Sequence, residues 1–405
     1  MTSETDYAGF SHNLLVTQRG RIGHRRARAR RLATMSIPRA DPPDLDQPQP
    51  PSFMHLQLIV PDLFWVHEAP LAAHAGLAVT SIETLVARGR KRITPAGSLE
   101  AWLLASFGVS VETALPVAPF ALADHGTPHE GRCWLCVDPV HLRIGRDDFT
   151  MQDATTLAID STEAASMIES LNRHFRDRGY RFIAPSPSHW YLSTPAPFTA
   201  TTVSRHKASG QTVDALRPTG TGALGLQTLI NEVQMLLHEH PVNMRREQLD
   251  RPIINSVWPW GGGASEPVTP PKLTELYADD PLARGLGHTI DIAVSAVPDG
   301  LTNLTSDGRA RGVVWVVLDR LRSASAYRDV HAWRAGVSDL ETRWFAPALD
   351  ALRQRQLGML TLYAIGPSST LAIESTATDL RYFWRRRKTL SAYINAPTPV
   401  AGVQP

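Results

Sequence analysis

Met54-His-Leu-Gln-Leu-Ile-Val-Pro-Asp62 is the stretch on which the fold reading turns. His55 to Val60 is a short, largely apolar run, the pattern of a strand covered on both faces in the middle of a sheet. It ends in Pro61-Asp62, a polar turn of the sort found at the carboxyl edge of a central strand. Open α/β sheets build their sites along that edge. Asp62 therefore reads as a ligand or as an ordinary turn aspartate, and the residues alone leave both readings open.

The pattern recurs. Gly312-Val-Val-Trp-Val-Val-Leu-Asp319 is a second buried run closing on an acid, and Gly358 to Ile365 is a third run without one. Helical periodicity falls between them: Ser81–Arg90, Ser98–Gly108, Ala223–His238 and Ser338–Leu352. Strands alternating with helices on both sides of a Pro- and Ala-rich middle predict a doubly wound α/β core with an inserted small α+β lobe. The core is expected over 54–110 and 216–390, the lobe over 111–215 and a flexible tail over 391–405. Within the lobe, Thr162–Arg178 is read as a helix capped by Thr162, and Tyr180–Leu192 as strand, turn, strand.

Bulk properties narrow the function classes. The chain has 405 residues, 43% hydrophobic and 20% charged, with a net charge of +2. That describes a folded protein and gives no ground for a specific nucleic-acid or membrane partner. Two cysteines do not make a disulfide scaffold and fit a cytoplasmic location. No apolar run approaches the roughly 20 residues of a spanning helix. Residues 1–53 carry eight arginines against five acids. They are expected to be a disordered Arg/Pro-rich leader, or sequence preceding a true start at Met54.

Three local patterns carry candidate chemistry. Ser98 follows Gly97 and opens a helix; it is a cap, or a nucleophile set where helix amides stabilise an anion. Cys133 and Cys136 form a C-x-x-C pair with no second pair to complete a zinc site, in surroundings that read as strand. Ile254-Asn-Ser-Val-Trp-Pro-Trp-Gly-Gly-Gly263 sets Trp258 and Trp260 on one side of a strand ahead of bare backbone at Gly261, Gly262 and Gly263. That is a ligand loop, or a buried tryptophan strand running into a flexible one.

Met54 to Trp65, with His240-Pro-Val-Asn243 and Asn255-Ser-Val-Trp-Pro-Trp-Gly-Gly-Gly263, resembles the bacterial RpfE-type regulatory proteins. Those are similar to the archaeal-type cofactor-independent phosphoglycerate mutases of the alkaline phosphatase superfamily. The resemblance runs from Met54 to about Trp384. It implies two divalent metals, manganese or magnesium, and a transiently phosphorylated serine. On this chain it places Asp62 at the first metal aspartate, Ser98 at the nucleophile, and Asn243, Arg246, Asn255, Trp258, Trp260 and Gly261–Gly263 on the substrate side. Asp319 and His331 are what remains of the later metal segment. Gly366-Pro-Ser-Ser-Thr370 holds neither the Asp nor the His that the family has after its last core strand. The expectation is a phosphoglycerate-mutase-like pseudoenzyme with a regulatory or sensing role, its partners a phosphorylated small molecule and a regulatory protein. The alternatives are an active metal-dependent mutase or phosphoesterase using Ser98, and a protein-interaction module.

Overall fold

The computed structural model describes residues 54–95, 97–111, 115–126, 132–144, 149–197, 199–305 and 312–393. The leader 1–53 and the tail from residue 394 lie outside them. Among the described residues twelve strands are formed: β1 Met54–Pro61, β2 Arg90–Thr94, β3 Cys133–Ile144, β4 Phe149–Asp153, β5 Arg181–Ser186, β6 His189–Thr194, β7 Ser256–Gly263, β8 Glu275–Tyr277, β9 Ala293–Ser295, β10 Val313–Val317, β11 Leu357–Ile365 and β12 Thr370–Ser375.

Seven of them make one sheet in the order β2-β12-β11-β1-β10-β8-β9. β1 lies at its centre, parallel to β10 and β11, and only the β2–β12–β11 side is antiparallel. Leu56, Leu58 and Val60 face the helices Thr80–Arg88, Val330–Leu340 and Ala346–Arg353. Ile59, with Trp315, Val317 and Ile365, faces Leu99–Ser106, Val117–Ala123 and Pro281–Thr289. Burial on both faces is why this strand reads as a run rather than as an alternation. Its buried-side polar residue is satisfied: His55 Nε2 lies 2.9 Å from Thr361 Oγ1. The expected doubly wound α/β core is formed.

The second sheet extends further along the chain than 111–215. β3 carries β6 and β4 end to end along one side and β7 along the other, with β5 beyond β6. Ser256–Gly263 thus completes the lobe instead of joining the core. The helices Ser161–Phe175 and Ala223–His238 cover one face of this sheet through Met167, Leu171, Leu229 and Val233. The other face packs into the same apolar cluster as the core helices, through Cys136, Tyr191, Trp258 and Trp260.

Two helix boundaries differ from the sequence reading. Asp160, not Thr162, caps the lobe helix: it accepts from Thr162 N and Glu163 N, both at 2.8 Å, and Glu163 Oε2 accepts from Asp160 N at 3.1 Å. An aspartate at this position completes a capping box that the threonine two residues later cannot. The helix expected from Ser338 begins at Val330 and passes through one wide turn, Glu341–Phe345, before resuming at Ala346. Pro347 lies just beyond that turn and has no amide hydrogen for the ladder.

Candidate functional site

The carboxyl edge of the core sheet faces a cleft of about 600 Å³. One wall holds Asp62 from the end of β1, Ser98 and Glu100 from the start of the helix Leu99–Ser106, Arg322 and Ser325 from the helix Leu321–Ala326, and Gly366-Pro367 after β11. The opposite wall, Ser204 to Leu216, brings His206, Lys207 and Gln211 from the lobe. Arg328 and His67 line one end.

Asp62 is held in a left-handed conformation, φ 57°. Its amide donates to Ile365 O at 2.9 Å and its carbonyl accepts from Trp333 Nε1 at 2.9 Å. Aspartate tolerates this region better than most residues, and non-glycine backbone held there gathers at sites that need it. Burial pushes its carboxyl up to about 6, against the opposing pull of Arg322. Ser98 Oγ accepts from Ala101 N at 3.1 Å, so the serine does cap its helix. It also lies on the cleft wall with Asp62. Both readings of Ser98 are thus compatible with its position, and the cap is the one with a hydrogen bond in the structure.

Behind the wall sits a charged cluster that the sequence reading missed. Arg322 Nη2 lies 2.5 Å from Glu100 Oε1, and Nη1 lies 3.8 Å from Asp280 Oδ2. The Arg322 side chain is 6% exposed and that of Glu100 3%. Asp319 is the fourth acid in the field of this arginine. Burial raises Asp280 to about 6 and also raises Asp319, whereas Glu100 is held below the usual range by the guanidinium it touches, against its own desolvation. The guanidinium outweighs desolvation for Glu100, with which it is in direct contact, and does not for the other three, whose carboxyls stay raised. The only signals for this cluster in the sequence were Asp62 and Asp319; Glu100 sits inside an apolar helix stripe and Arg322 inside a segment that read as the loss of metal ligands.

A smaller cavity of about 20 Å³ continues from Glu100 and His206 toward Asp138, His189, Arg205 and Trp260. Trp260 Nε1 donates to Asp138 Oδ2 at 2.8 Å, and Arg205 Nη1 lies 3.4 Å from the same oxygen. Burial drives His189 down to about 3 and, with Arg322 and Arg205 nearby, His206 well below the ordinary imidazole range. Both histidines are neutral at pH 7.

The other expected substrate-side residues hold the lobe together instead of lining the cleft. Asn243 is buried; its amide donates to Leu237 O and Ile254 O and its Oδ1 accepts from Ile254 N. Arg246 is fully buried, donating to Pro252 O at 2.8 Å, to Glu163 Oε2 at 2.6 Å and to Leu157 O. Asn255 brackets Leu142, accepting from its amide at 2.7 Å and donating to its carbonyl at 2.9 Å, which extends the β3–β7 ladder. Trp258 Nε1 donates to Val203 O at 2.8 Å. The glycines are bare because neighbours press on them: a Cβ on Gly261, Gly262 or Gly263 would come within 2.8, 2.7 and 2.6 Å of Val117, Leu135 and Pro116. The conspicuous Trp-Gly stretch is packing, with Trp260 alone reaching a polar cavity. Cys133 and Cys136 lie unpaired in β3, as their strand-like surroundings indicated.

Comparison with known proteins points one way. Residues 139–243 match the family model of the 2,3-bisphosphoglycerate-independent phosphoglycerate mutases. The chain is similar to these mutases. A relative of that name from Methanothermobacter thermautotrophicus is 29% identical over 164 residues, 38% of this chain and 40% of its own length. A probable enzyme of the same name from Geobacter sulfurreducens is 30% identical over 158 residues, 38% of each chain. The chain thus spans less than half the length of these two relatives. A cofactor-independent phosphoglycerate mutase from Thermoplasma acidophilum superposes with a TM-score of 0.44 at 14% identity, covering 84% of this chain and 94% of that one.

The divalent metals that the sequence resemblance implies do not fit the residues present. Among the described residues no group of three or more His, Cys, Asp or Glu side chains is arranged to hold a metal ion. Asp62 and Asp319 each lie in the field of Arg322. His331 is absent from this cluster: it is exposed at the start of the helix Val330–Leu340 and lines a separate groove with Trp65 and Arg334. The loop after β11 offers glycine, proline, serine and threonine.

Proposed function

We propose that this chain is a phosphoglycerate-mutase-like protein that binds a phosphorylated small molecule in the cleft and acts as a regulator or sensor, in the manner of the RpfE-type proteins, without the metal-dependent mutase reaction. The observation that carries the reading is the pairing of an anion-suited cleft with a missing metal set. Lys207 and Arg328 are exposed cations at its walls and Ser98 stands at a helix start, yet the acids behind them are occupied by an arginine. Phosphate esters carry two negative charges near pH 7, which suits these donors.

The test measures binding and turnover side by side. Thermal shift with 3-phosphoglycerate is expected to stabilise the protein, and 2-/3-phosphoglycerate interconversion is expected to stay at background with or without manganese. Lys207→Ala should weaken the stabilisation. Manganese-dependent turnover that disappears in Ser98→Ala would instead establish the active enzyme. Absence of any response to phosphorylated metabolites would leave the interaction-module reading.

A further inference from the structure

The Arg322 guanidinium lies 2.5 Å from Glu100, on the helix Leu99–Ser106, and 3.8 Å from Asp280, the cap of the helix Pro281–Thr289, and its charge is felt by Asp62 at the end of β1 and Asp319 in the turn after β10. Acids drawn together from strand ends and helix starts repel one another and lose hydration, so such a group is stable only around positive charge. We propose that the Arg322 guanidinium is a tethered substitute for a divalent cation, which completes this acidic site and closes it to metal ions.

The bonding of Arg322 supports a counter-ion over a structural clamp. Arg205, buried as deeply as Arg322, leaves Nε and Nη1 without a hydrogen-bond partner beside Asp138, whereas Arg246 places Nε, Nη1 and Nη2 each on an acceptor. Arg322 does not. Its Nη1 is buried without a hydrogen-bond partner, and so is Glu100 Oε2 beside it. The forked geometry that normally makes arginine a directional donor is half used, while the charge sits among four carboxylates. What the position exploits is the charge, which is what a metal ion would have supplied. A guanidinium cannot dissociate, so the site keeps its cation in metal-free surroundings, and any anion bound in the cleft is bound without metal. The inference stands on the cluster alone and not on the phosphometabolite reading; its test contains no organic ligand.

The test uses full-length protein stripped with EDTA and titrated with manganese chloride, followed by the EPR signal of free Mn²⁺ and by thermal shift. Wild type is expected to leave Mn²⁺ free into the millimolar range. Arg322→Ala is expected to melt lower, to bind Mn²⁺ at least about tenfold more tightly than wild type, and to regain stability as the ion binds. Arg322→Lys, which keeps one charge, should remain blind to Mn²⁺. Manganese binding by wild type overturns the proposal, as does an Arg322→Ala protein that folds and ignores the ion. Equal Mn²⁺ uptake by Arg322→Lys and Arg322→Ala overturns it too, because charge would then not be the excluding property. If Arg322→Ala fails to fold in metal-free buffer, its refolding yield with and without Mn²⁺ gives the same decision: recovery with the ion supports the substitution, equal loss refutes it.

Discussion

Arg246→Met separates a structural arginine from a substrate-binding one. Methionine keeps most of the apolar stem, so the main change is the loss of three donors. In the fold these serve Pro252 O, Leu157 O and Glu163 Oε2 at a residue with no exposed surface. Each stranded buried acceptor costs about 1–3 kcal/mol, and breaking a buried ion pair about 3–5 kcal/mol. Glu163 is 15% exposed and keeps its bond to Asp160 N, so its part falls at the low end. A total of about 5 kcal/mol is expected, which for a chain of this size corresponds to roughly 10 °C in Tm. Calorimetry on wild type and variant measures it, and binding of 3-phosphoglycerate well below both transitions should be the same for the two proteins. An unchanged Tm together with lost ligand binding would refute the reasoning and return Arg246 to the substrate site.

Three further substitutions probe other parts of the argument. Gly285→Ala should destabilise by at least about 2 kcal/mol in thermal melts, because its Cβ would lie 1.9 Å from Phe120 O, a backbone atom that cannot swing aside. Ser98→Ala removes the bond from Ala101 N and should cost about 1 kcal/mol in chemical denaturation. Asp280→Asn keeps an acceptor for Ala283 N, which Asp280 caps at 3.0 Å, while removing a carboxyl that burial raises from 3.8 to about 6. Between those values the folded protein holds a proton that the unfolded chain releases, so this group's contribution falls as pH rises through the window and is at its worst above about pH 6. The variant should therefore gain on wild type by about 3 kcal/mol at pH 7.5 and lose that advantage near pH 4, read from paired denaturation curves.

What could be read from the residues followed the reach of each signal. β1, β10 and β11 announced themselves as apolar runs because a strand covered on both faces leaves a local mark. The helix Ala223–His238 did the same through its period. The edge of the core sheet, with Asp62 and Ser98 on it, followed from strand order and a cap. The lobe boundary was misplaced because β7 returns to β3 across more than a hundred residues, and nothing local in Ser256–Gly263 says which sheet it joins. The Arg322 cluster was invisible for the same reason. Glu100 and Arg322 are 222 positions apart, and each alone looks like an ordinary surface charge. Asn243, Arg246 and Asn255 were misread because polar residues in a distinctive motif look alike whether they bind a ligand or a backbone.

The late arrival of β7 bears on how the chain is made. During synthesis β3, β4, β5 and β6 are all available by residue 194, with β6 and β4 occupying one side of β3. The other side presents unpaired backbone from Trp134 to Val140 until residue 263 has left the ribosome. An open edge in a half-built sheet invites pairing with other chains, and closing it across so long a loop is slow. Asp138 waits in the same interval without the indole of Trp260. Nascent chains halted between about residues 200 and 250 should therefore be the ones that chaperones hold longest, and full-length protein diluted from denaturant should recover poorly as concentration rises.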